Sequence, residues 1–153
     1  MKELIIGTKK YINNILDTYK FDITKNEYHK PLVYNNSYYF NKSHTKDLSA
    51  LIIDNTYCGI DLEYIRKYKD GLARKICSNN EYNYLSNSNN KDYDFTLLWV
   101  LKESYLKCIG IGITCPLKDI NFIENNKIIK KKGDFIFNTF DYTNHIIAIC
   151  RKN

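Results

Sequence analysis

A helix pattern over residues 93–109, which stops at Gly110, is the strongest constraint on what this chain can fold into. A glycine directly after a helix adopts the left-handed backbone conformation without strain and commonly ends helices. Short segments rich in aromatic and β-branched residues lie on both sides of this helix, with polar turns between them. One long helix among short strands predicts an α+β fold.

The other elements follow from the same kinds of pattern. Apolar residues at helical spacing predict a first helix over residues 4–20, and the segment 22–37, which has no periodicity, predicts a loop. Strands at about 38–40, 48–53 and 56–63 are expected to form a three-stranded antiparallel meander. The further elements are two short helices and four strands, predicted at about 70–77, 79–86, 119–124, 127–131, 134–140 and 144–151.

The second part of the chain repeats this order of helices followed by strands, which predicts two similar halves that face each other. We place the halves at residues 1–55 and 56–153. A chain of 153 residues has the usual size of one domain. Its 44% hydrophobic and 26% charged residues exclude collagen-like, coiled-coil and wholly disordered chains.

Charge and cysteine content bear on location and partners. No apolar run approaches the roughly 20 residues that span a bilayer, and the start of the chain is too short and too acidic for a secretory leader. We therefore expect a cytoplasmic protein without membrane contact. The five cysteines include no Cys-x-x-Cys pair, which predicts reduced packing thiols. The net charge of +6 is scattered except at 130–132, so an acidic partner explains it as well as nucleic acid does, and we expect no nucleic-acid partner.

The segment Gly-Ile-Asp-Leu-Glu at 59–63 carries the first chemical signal. On a strand, Asp61 and Glu63 point to the same side and lie roughly 7 Å apart at the backbone. Two carboxylates held this close repel each other unless a cation lies between them, and oxygen ligands favour Mg²⁺. The alternative is a strand face that is simply solvated.

The segment Trp-Val-Leu-Lys-Glu-Ser-Tyr-Leu-Lys at 99–107 carries the second signal. In a helix, Trp99, Lys102, Glu103 and Lys107 fall within an arc of about 140°. This face would present a carboxylate between two ammonium groups, which suits a third metal ligand with cations beside it for phosphate oxygens. The alternative is a helix surface with ion pairs of its own.

A third feature is the segment Phe-Asn-Lys-Ser-His at 40–44, which is preceded by Lys30 and Pro31. A histidine at the end of a strand can donate a hydrogen bond to a phosphate oxygen. His44 is therefore a candidate substrate contact, although a histidine in a turn also occurs for structural reasons alone.

The ordered set Lys-Pro, Asn-x-Ser-His, Gly-Ile-Asp-x-Glu and Trp-x-x-Lys-Glu-x-x-x-Lys resembles the 4′-phosphopantetheinyl transferases of the surfactin-synthetase-activating (Sfp-like) type. The resemblance begins at about residue 4 and extends through the last predicted strand, with fewer residues before it than surfactin-type members usually carry. It implies an α+β fold in which two α/β halves, each with a small antiparallel sheet and packed helices, form a pseudo-dimer. Because part of the pocket for the 3′-phosphate of coenzyme A lies in that earlier segment, we expect weaker coenzyme A binding.

The activity that the resemblance implies is transfer of the phosphopantetheine arm of coenzyme A to a serine of an acyl or peptidyl carrier protein, with release of adenosine 3′,5′-bisphosphate. The resemblance further implies that Asp61, Glu63 and Glu103 hold Mg²⁺. Glu103 is the first candidate for the base that accepts the serine proton, and Glu81 is the second.

The resemblance assigns the remaining contacts to basic and hydroxyl side chains. Lys102, Lys107 and His44 would contact the pyrophosphate, with Lys107 and His44 acting in catalysis. Lys30 and Ser43 would help to bind coenzyme A.

Three alternatives remain open at this point. The smaller holo-acyl-carrier-protein synthases are trimers, whereas we expect a monomer. A truncated, non-catalytic relative would bind only coenzyme A or the carrier protein, and a basic nucleic-acid module would show steep salt dependence. For an acidic carrier protein, the cations expected to dock it are Arg66, Lys67 and Lys118.

Overall fold

The computed structural model describes residues 3–19, 23–25, 31–33, 38–112 and 114–153. The helices are α1 (Lys9–Tyr19), α2 (Asp70–Ile76), α3 (Asn79–Ser86) and α4 (Lys91–Ile109), and a short 3-10 helix spans Leu117–Asp119. The strands are β1 (Glu3–Gly7), β2 (Ile23–Lys25), β3 (Pro31–Val33), β4 (Tyr39–His44), β5 (Ser49–Asp54), β6 (Cys58–Tyr64), β7 (Ile123–Glu124), β8 (Lys127–Ile128), β9 (Lys131–Lys132), β10 (Phe135–Tyr142) and β11 (His145–Lys152). The predicted mixture of helices and antiparallel strands is confirmed.

The first sheet has the antiparallel order β1–β5–β4. The prediction of a helix over residues 4–20 is wrong at its start, because β1 pairs with β5 from Glu3↔Ile53 to Gly7↔Ser49. A short apolar run fits the buried part of a helix and a strand equally well, and here the pairing decides for the strand. Helix α1 packs on this sheet through Ile12, which is fully buried against Leu51 and its neighbours.

The second sheet has the order β6–β11–β10–β9. The predicted three-stranded meander is therefore wrong: β4 and β5 do pair, but β6 pairs with β11 and not with β5. The predicted loop over 22–37 is also wrong in part, because Ile23–Lys25 and Pro31–Val33 pair as two short antiparallel strands. The rest of that segment lies outside the described residues.

Side chains of β4 connect the two sheets. Asn41 Oδ1 accepts a hydrogen bond from the backbone N–H of Ile60 at 2.9 Å, and Ser43 Oγ accepts one from Leu62 at 3.3 Å. Both β4 residues are buried. The edge strand of the first sheet is thus joined to β6 without a backbone ladder.

Helix α4 lies directly on β6, and Gly59 sets the closeness of this contact. A Cβ atom at Gly59 would lie 2.2 Å from Ser104 O and 2.4 Å from Cys108 N. No residue with a side chain fits there. Because Asp61 and Glu63 follow Gly59 at two-residue spacing, they lie on the same side of β6 and point toward α4.

The helices predicted at about 70–77, 79–86 and 93–109 and the strands predicted at about 134–140 and 144–151 are present with small shifts of their ends. The strand predicted at about 119–124 is wrong in its first part, because Leu117–Asp119 forms a 3-10 helix and only Ile123–Glu124 is a strand. The strand predicted at about 127–131 is divided into the two short strands β8 and β9.

Helix α3 begins with a capping box in which Ser78 and Glu81 bond each other's backbone N–H groups. Helix α4 ends at Gly110, whose φ of 79° is left-handed as predicted. No helix in the described ranges is long and apolar enough to cross a bilayer.

Candidate active site

A cavity of about 430 Å³ lies where β4, β6 and α4 meet. Most of its lining side chains are ones that the sequence singles out. The lining residues are Lys42, Ser43, His44, Asp61, Glu63, Trp99, Glu103 and Lys107. The structure therefore brings the second, third and fourth motifs to one place, whereas Lys30 lies outside the described residues.

Asp61 accepts hydrogen bonds from one ammonium group and one hydroxyl group. Lys107 Nζ lies 2.6 Å from Asp61 Oδ1, and Ser43 Oγ donates to the same oxygen at 3.0 Å. Lys107 also donates to Ser43 Oγ at 3.1 Å. The other carboxylate oxygen, Asp61 Oδ2, is buried and has no hydrogen-bond partner among the described residues.

Glu103 faces the same cavity from α4. Its Oε1 is buried and also has no hydrogen-bond partner in the described part of the chain. Burial, and then the nearby carboxylate of Asp61, raises the pKa of Glu103 above its usual range. A buried carboxylate oxygen without a partner costs free energy. Binding of a cation or a proton to Glu103 would recover this cost.

Glu63 is the most engaged of the three carboxylates. Arg66 binds it with two nitrogens, with Nε 3.2 Å from Oε2. The guanidinium of Arg66 also lies over the Trp99 ring, 4.6 Å from its centroid. The sequence predicts Arg66 only as a cation for docking a carrier protein, and it does not indicate that Arg66 binds Glu63.

The prediction that Lys102 shares this face is wrong. Lys102 is completely buried, and its Nζ donates to the carbonyl oxygens of Ile76, Leu117 and Ile120 at 2.7–2.8 Å. A helix face as wide as 140° includes positions at its sides that point into the protein core. Lys102 occupies one of these positions. We leave Lys102 out of the proposed phosphate contacts.

Glu81 is also placed away from the cavity. Its Oε2 lies 2.6 Å from Lys102 Nζ, and its Oε1 accepts from Phe122 N at 2.9 Å. It is fully buried and does not line the cavity. Glu81 is therefore set aside as the alternative base.

The donor set of the cavity fits a hard divalent cation, although it is not assembled as a complete metal centre. Within the described parts of the chain, no three His, Cys, Asp or Glu side chains form a group that could hold a metal ion. Two oxygens, Asp61 Oδ2 and Glu103 Oε1, are buried without partners and carry the charge that Mg²⁺ prefers. Glu63 would have to give up part of its contact with Arg66 to join them.

Comparison with known proteins identifies the family. The sequence model of the 4′-phosphopantetheinyl transferase superfamily matches residues 57–150, which include β6 and α4. The chain therefore belongs to the 4′-phosphopantetheinyl transferase superfamily.

Two curated relatives and one solved structure define the relationship further. The chain is 35% identical over 129 residues to the 4′-phosphopantetheinyl transferase gsp of Aneurinibacillus migulanus, covering 82% of this chain and 53% of that protein. It is 31% identical over 106 residues to the 4′-phosphopantetheinyl transferase Sfp of Bacillus subtilis strain 168, covering 67% of this chain and 47% of that protein. These matches confirm the predicted Sfp-like resemblance. The chain spans about half the length of the curated relatives it matches.

The solved structure is the holo-[acyl-carrier-protein] synthase of Thermotoga maritima. It superposes with a TM-score of 0.50 at 19% sequence identity and covers 64% of each chain. This likeness confirms the predicted α+β transferase fold.

Proposed function

We propose that this chain transfers the phosphopantetheine arm of coenzyme A to a serine of a carrier protein. The chain belongs to this superfamily, and one structural observation supports the proposal most directly. Two buried carboxylate oxygens, on Asp61 and Glu103, have no partner among the described residues and share a cavity with the ammonium group of Lys107. This is a site for a cation and for anionic oxygens together.

Asp61, Glu63 and Glu103 are the proposed ligands of Mg²⁺. The ion would supply positive charge next to the pyrophosphate of coenzyme A. Lys107 already neutralises one oxygen of Asp61, so it balances part of the negative charge of the three carboxylates.

Lys107 and His44 are the proposed contacts for phosphate oxygens. Lys107 is partly exposed and His44 is exposed, and both line the cavity. Charge that develops on the leaving adenosine 3′,5′-bisphosphate would be stabilised by fixed donors of this kind. Contact of coenzyme A with Lys30 and Ser43 remains a prediction.

Glu103 is the proposed base for the carrier serine. Glu103 borders the proposed Mg²⁺ site, so one of its carboxylate oxygens would face the cation and the other would be left to accept the serine proton. The carboxylates of Asp61 and Glu63 are both bound by basic side chains, so less of each is open to a substrate hydroxyl.

Mass spectrometry of an apo-acyl carrier protein, incubated with this protein, coenzyme A and Mg²⁺, tests the proposal. We expect the carrier to gain the mass of one phosphopantetheine arm. Glu103→Gln is expected to abolish the gain, whereas Glu124→Gln, at an exposed glutamate that does not line the cavity, is the matched control. No gain with several carriers and a folded protein would favour a non-catalytic relative.

The remaining features of the reaction are predictions of the same proposal. We expect the carrier protein to be acidic, the protein to be cytoplasmic and the active species to be a monomer. The division of one domain into halves 1–55 and 56–153 also stays a prediction.

A further inference from the structure

Glu63 differs from the other two carboxylates of the cavity in how its oxygens are used. Arg66 Nε lies 3.2 Å from Glu63 Oε2, and a second guanidinium nitrogen binds Oε1, so both oxygens are bonded to one cation. Asp61 and Glu103, in contrast, each keep a buried oxygen that has no hydrogen-bond partner in the described part of the chain. Of the three proposed metal ligands, Glu63 is the one whose two oxygens are both taken by a cation of the protein itself.

Arg66 is held beside Glu63 by two contacts with α4. Its backbone N–H donates to Thr96 Oγ at 2.8 Å, and Thr96 is fully buried. Its guanidinium lies over the ring of Trp99, which lines the cavity. A guanidinium is planar, matches the two oxygens of a carboxylate and also stacks on aromatic rings. The pair of Arg66 and Glu63 is therefore supported by its surroundings and is not a chance approach of two flexible side chains.

The guanidinium and a divalent cation would compete for the same two oxygens. Both are positively charged, so they repel each other when they are bound to one carboxylate. The side chains of Arg66 and Glu63 are 36% and 24% exposed, so the pair can open without exposing the core. An ion pair this exposed contributes little to stability, and exchange of the guanidinium for another cation is therefore energetically accessible.

We propose that Arg66 is a positioning residue that occupies Glu63 in the metal-free protein and thereby lowers the affinity of the site for a divalent cation. This inference rests on the proposed function in taking Asp61, Glu63 and Glu103 as the metal ligands. When Glu63 is released, the contact with Trp99 still holds the guanidinium at the cavity, because that contact does not involve Glu63. Removal of Arg66 should therefore tighten metal binding, which damage to the fold would not do.

Mn²⁺ is the probe, because it accepts the oxygen ligands that suit Mg²⁺ and its paramagnetic resonance reports the free ion. The titration uses the protein alone, without coenzyme A or carrier protein. Arg66→Met should bind Mn²⁺ about fivefold more tightly than the wild type, as for the release of one partly exposed ion pair. Arg66→Lys should lie between the two, because an ammonium group does not bind both carboxylate oxygens as a guanidinium does.

Arg74→Met is the matched control, since Arg74 has the same two kinds of contact elsewhere. Its Nε lies 2.8 Å from Asp70 Oδ2, and its guanidinium lies 4.6 Å from the centroid of the Tyr82 ring. Neither Arg74 nor Asp70 lines the cavity. The Mn²⁺ affinity of Arg74→Met should stay within about twofold of the wild type, because distant exposed charges are screened by salt. Mn²⁺ binding by Arg66→Met that is absent, or no tighter than in the wild type, would overturn the proposal.

The Glu63→Gln background separates an effect through Glu63 from a general effect of charge. Asp61 and Glu103 remain as ligands there, and adding Arg66→Met should give no further gain in Mn²⁺ affinity. A fivefold gain in this background as well would show that Arg66 acts on the metal through space, and it would overturn the proposal.

The same proteins distinguish this proposal from the proposed function. Tighter Mn²⁺ binding by Arg66→Met, with no transfer to any carrier by the wild type, would refute the proposed function and leave the role of Arg66 standing. Transfer by the wild type, with equal Mn²⁺ affinities of the wild type and Arg66→Met, would do the reverse.

Discussion

Lys102 Nζ and Glu81 Oε2 lie 2.6 Å apart, and neither side chain is exposed. Lys102 comes directly before the candidate catalytic residue Glu103, yet its ammonium group is enclosed by Glu81 and three backbone carbonyl oxygens. The carbonyls belong to the end of α2 and to the segment around the 3-10 helix. The pair therefore connects α4 to the elements on its far side from the cavity.

Loss of one member of this pair should destabilise the fold strongly. Lys102→Met leaves the Glu81 carboxylate buried without its cation, and we expect a loss of about 3–5 kcal/mol in the free energy of unfolding. Urea denaturation measures it, and Lys75→Met, at an exposed lysine of α2, is the control. Adding Glu81→Gln to Lys102→Met should recover part of the loss. Equal stability of Lys102→Met and Lys75→Met would contradict the buried pair.

Lys107 should matter for activity because it serves both the Asp61 carboxylate and the proposed phosphate contact. Lys107→Met removes the cation that binds Asp61 Oδ1 and a proposed phosphate contact. We expect the transfer rate to fall by about 10²–10³-fold, as for the loss of one donor to developing negative charge. Lys91→Met, which removes a partly exposed lysine at the start of the same helix, should keep the wild-type rate. Similar transfer rates for both variants would show that Lys107 does not contribute to the reaction.

The raised pKa of Glu103 predicts a pH dependence of stability. An acid whose pKa is higher in the folded state than in the unfolded state contributes stability below its unfolded pKa, about 4.3 for Glu. This contribution is lost as the pH rises through the folded pKa, because the charged form is disfavoured by burial. Glu103→Gln, measured without Mg²⁺, should therefore gain stability relative to the wild type as the pH rises from acid to neutral.

The control for that measurement is Glu124→Gln, at an exposed glutamate of β7. Its stability difference from the wild type should stay constant over the same pH range. A constant difference for Glu103→Gln as well would mean that Glu103 is solvated in the folded protein.

The close contact of β6 with α4 should tolerate no side chain at position 59. Gly59→Ala places a Cβ against Ser104 O and Cys108 N, so α4 must move away, at a cost of about 1–3 kcal/mol or more. Activity should fall as well, because Glu103 moves with the helix. Gly71→Ala in α2 is the matched control, since nothing lies within 4 Å of its Cβ position. Thermal unfolding of the two variants separates the contact from a general effect of glycine replacement.

The sequence predicted best what depends on spacing within one element. Asp61 and Glu63 share a strand face because residues two apart always do, and Glu103 and Lys107 share a helix face for a similar reason. The pairing of β6 with β11 joins residues 81 to 93 positions apart, and no local pattern indicates it. The burial of Lys102 likewise depends on Glu81 and on carbonyl groups from other elements. The segment Glu3–Gly7 is predicted as helix rather than strand because its partner, β5, lies 42 to 50 residues away.

The Ser43 hydroxyl already has three partners: it donates to Asp61 and accepts from Lys107 and from the N–H of Leu62. One donor and two acceptor positions are all that a hydroxyl has. Any ligand that bonds to Ser43 must therefore displace a bond rather than add one. The hydrogen bond from Leu62 N–H that joins β4 to β6 uses the same Ser43 oxygen that a ligand in the cavity would use. A ligand that displaces this bond would therefore weaken the contact between the two sheets.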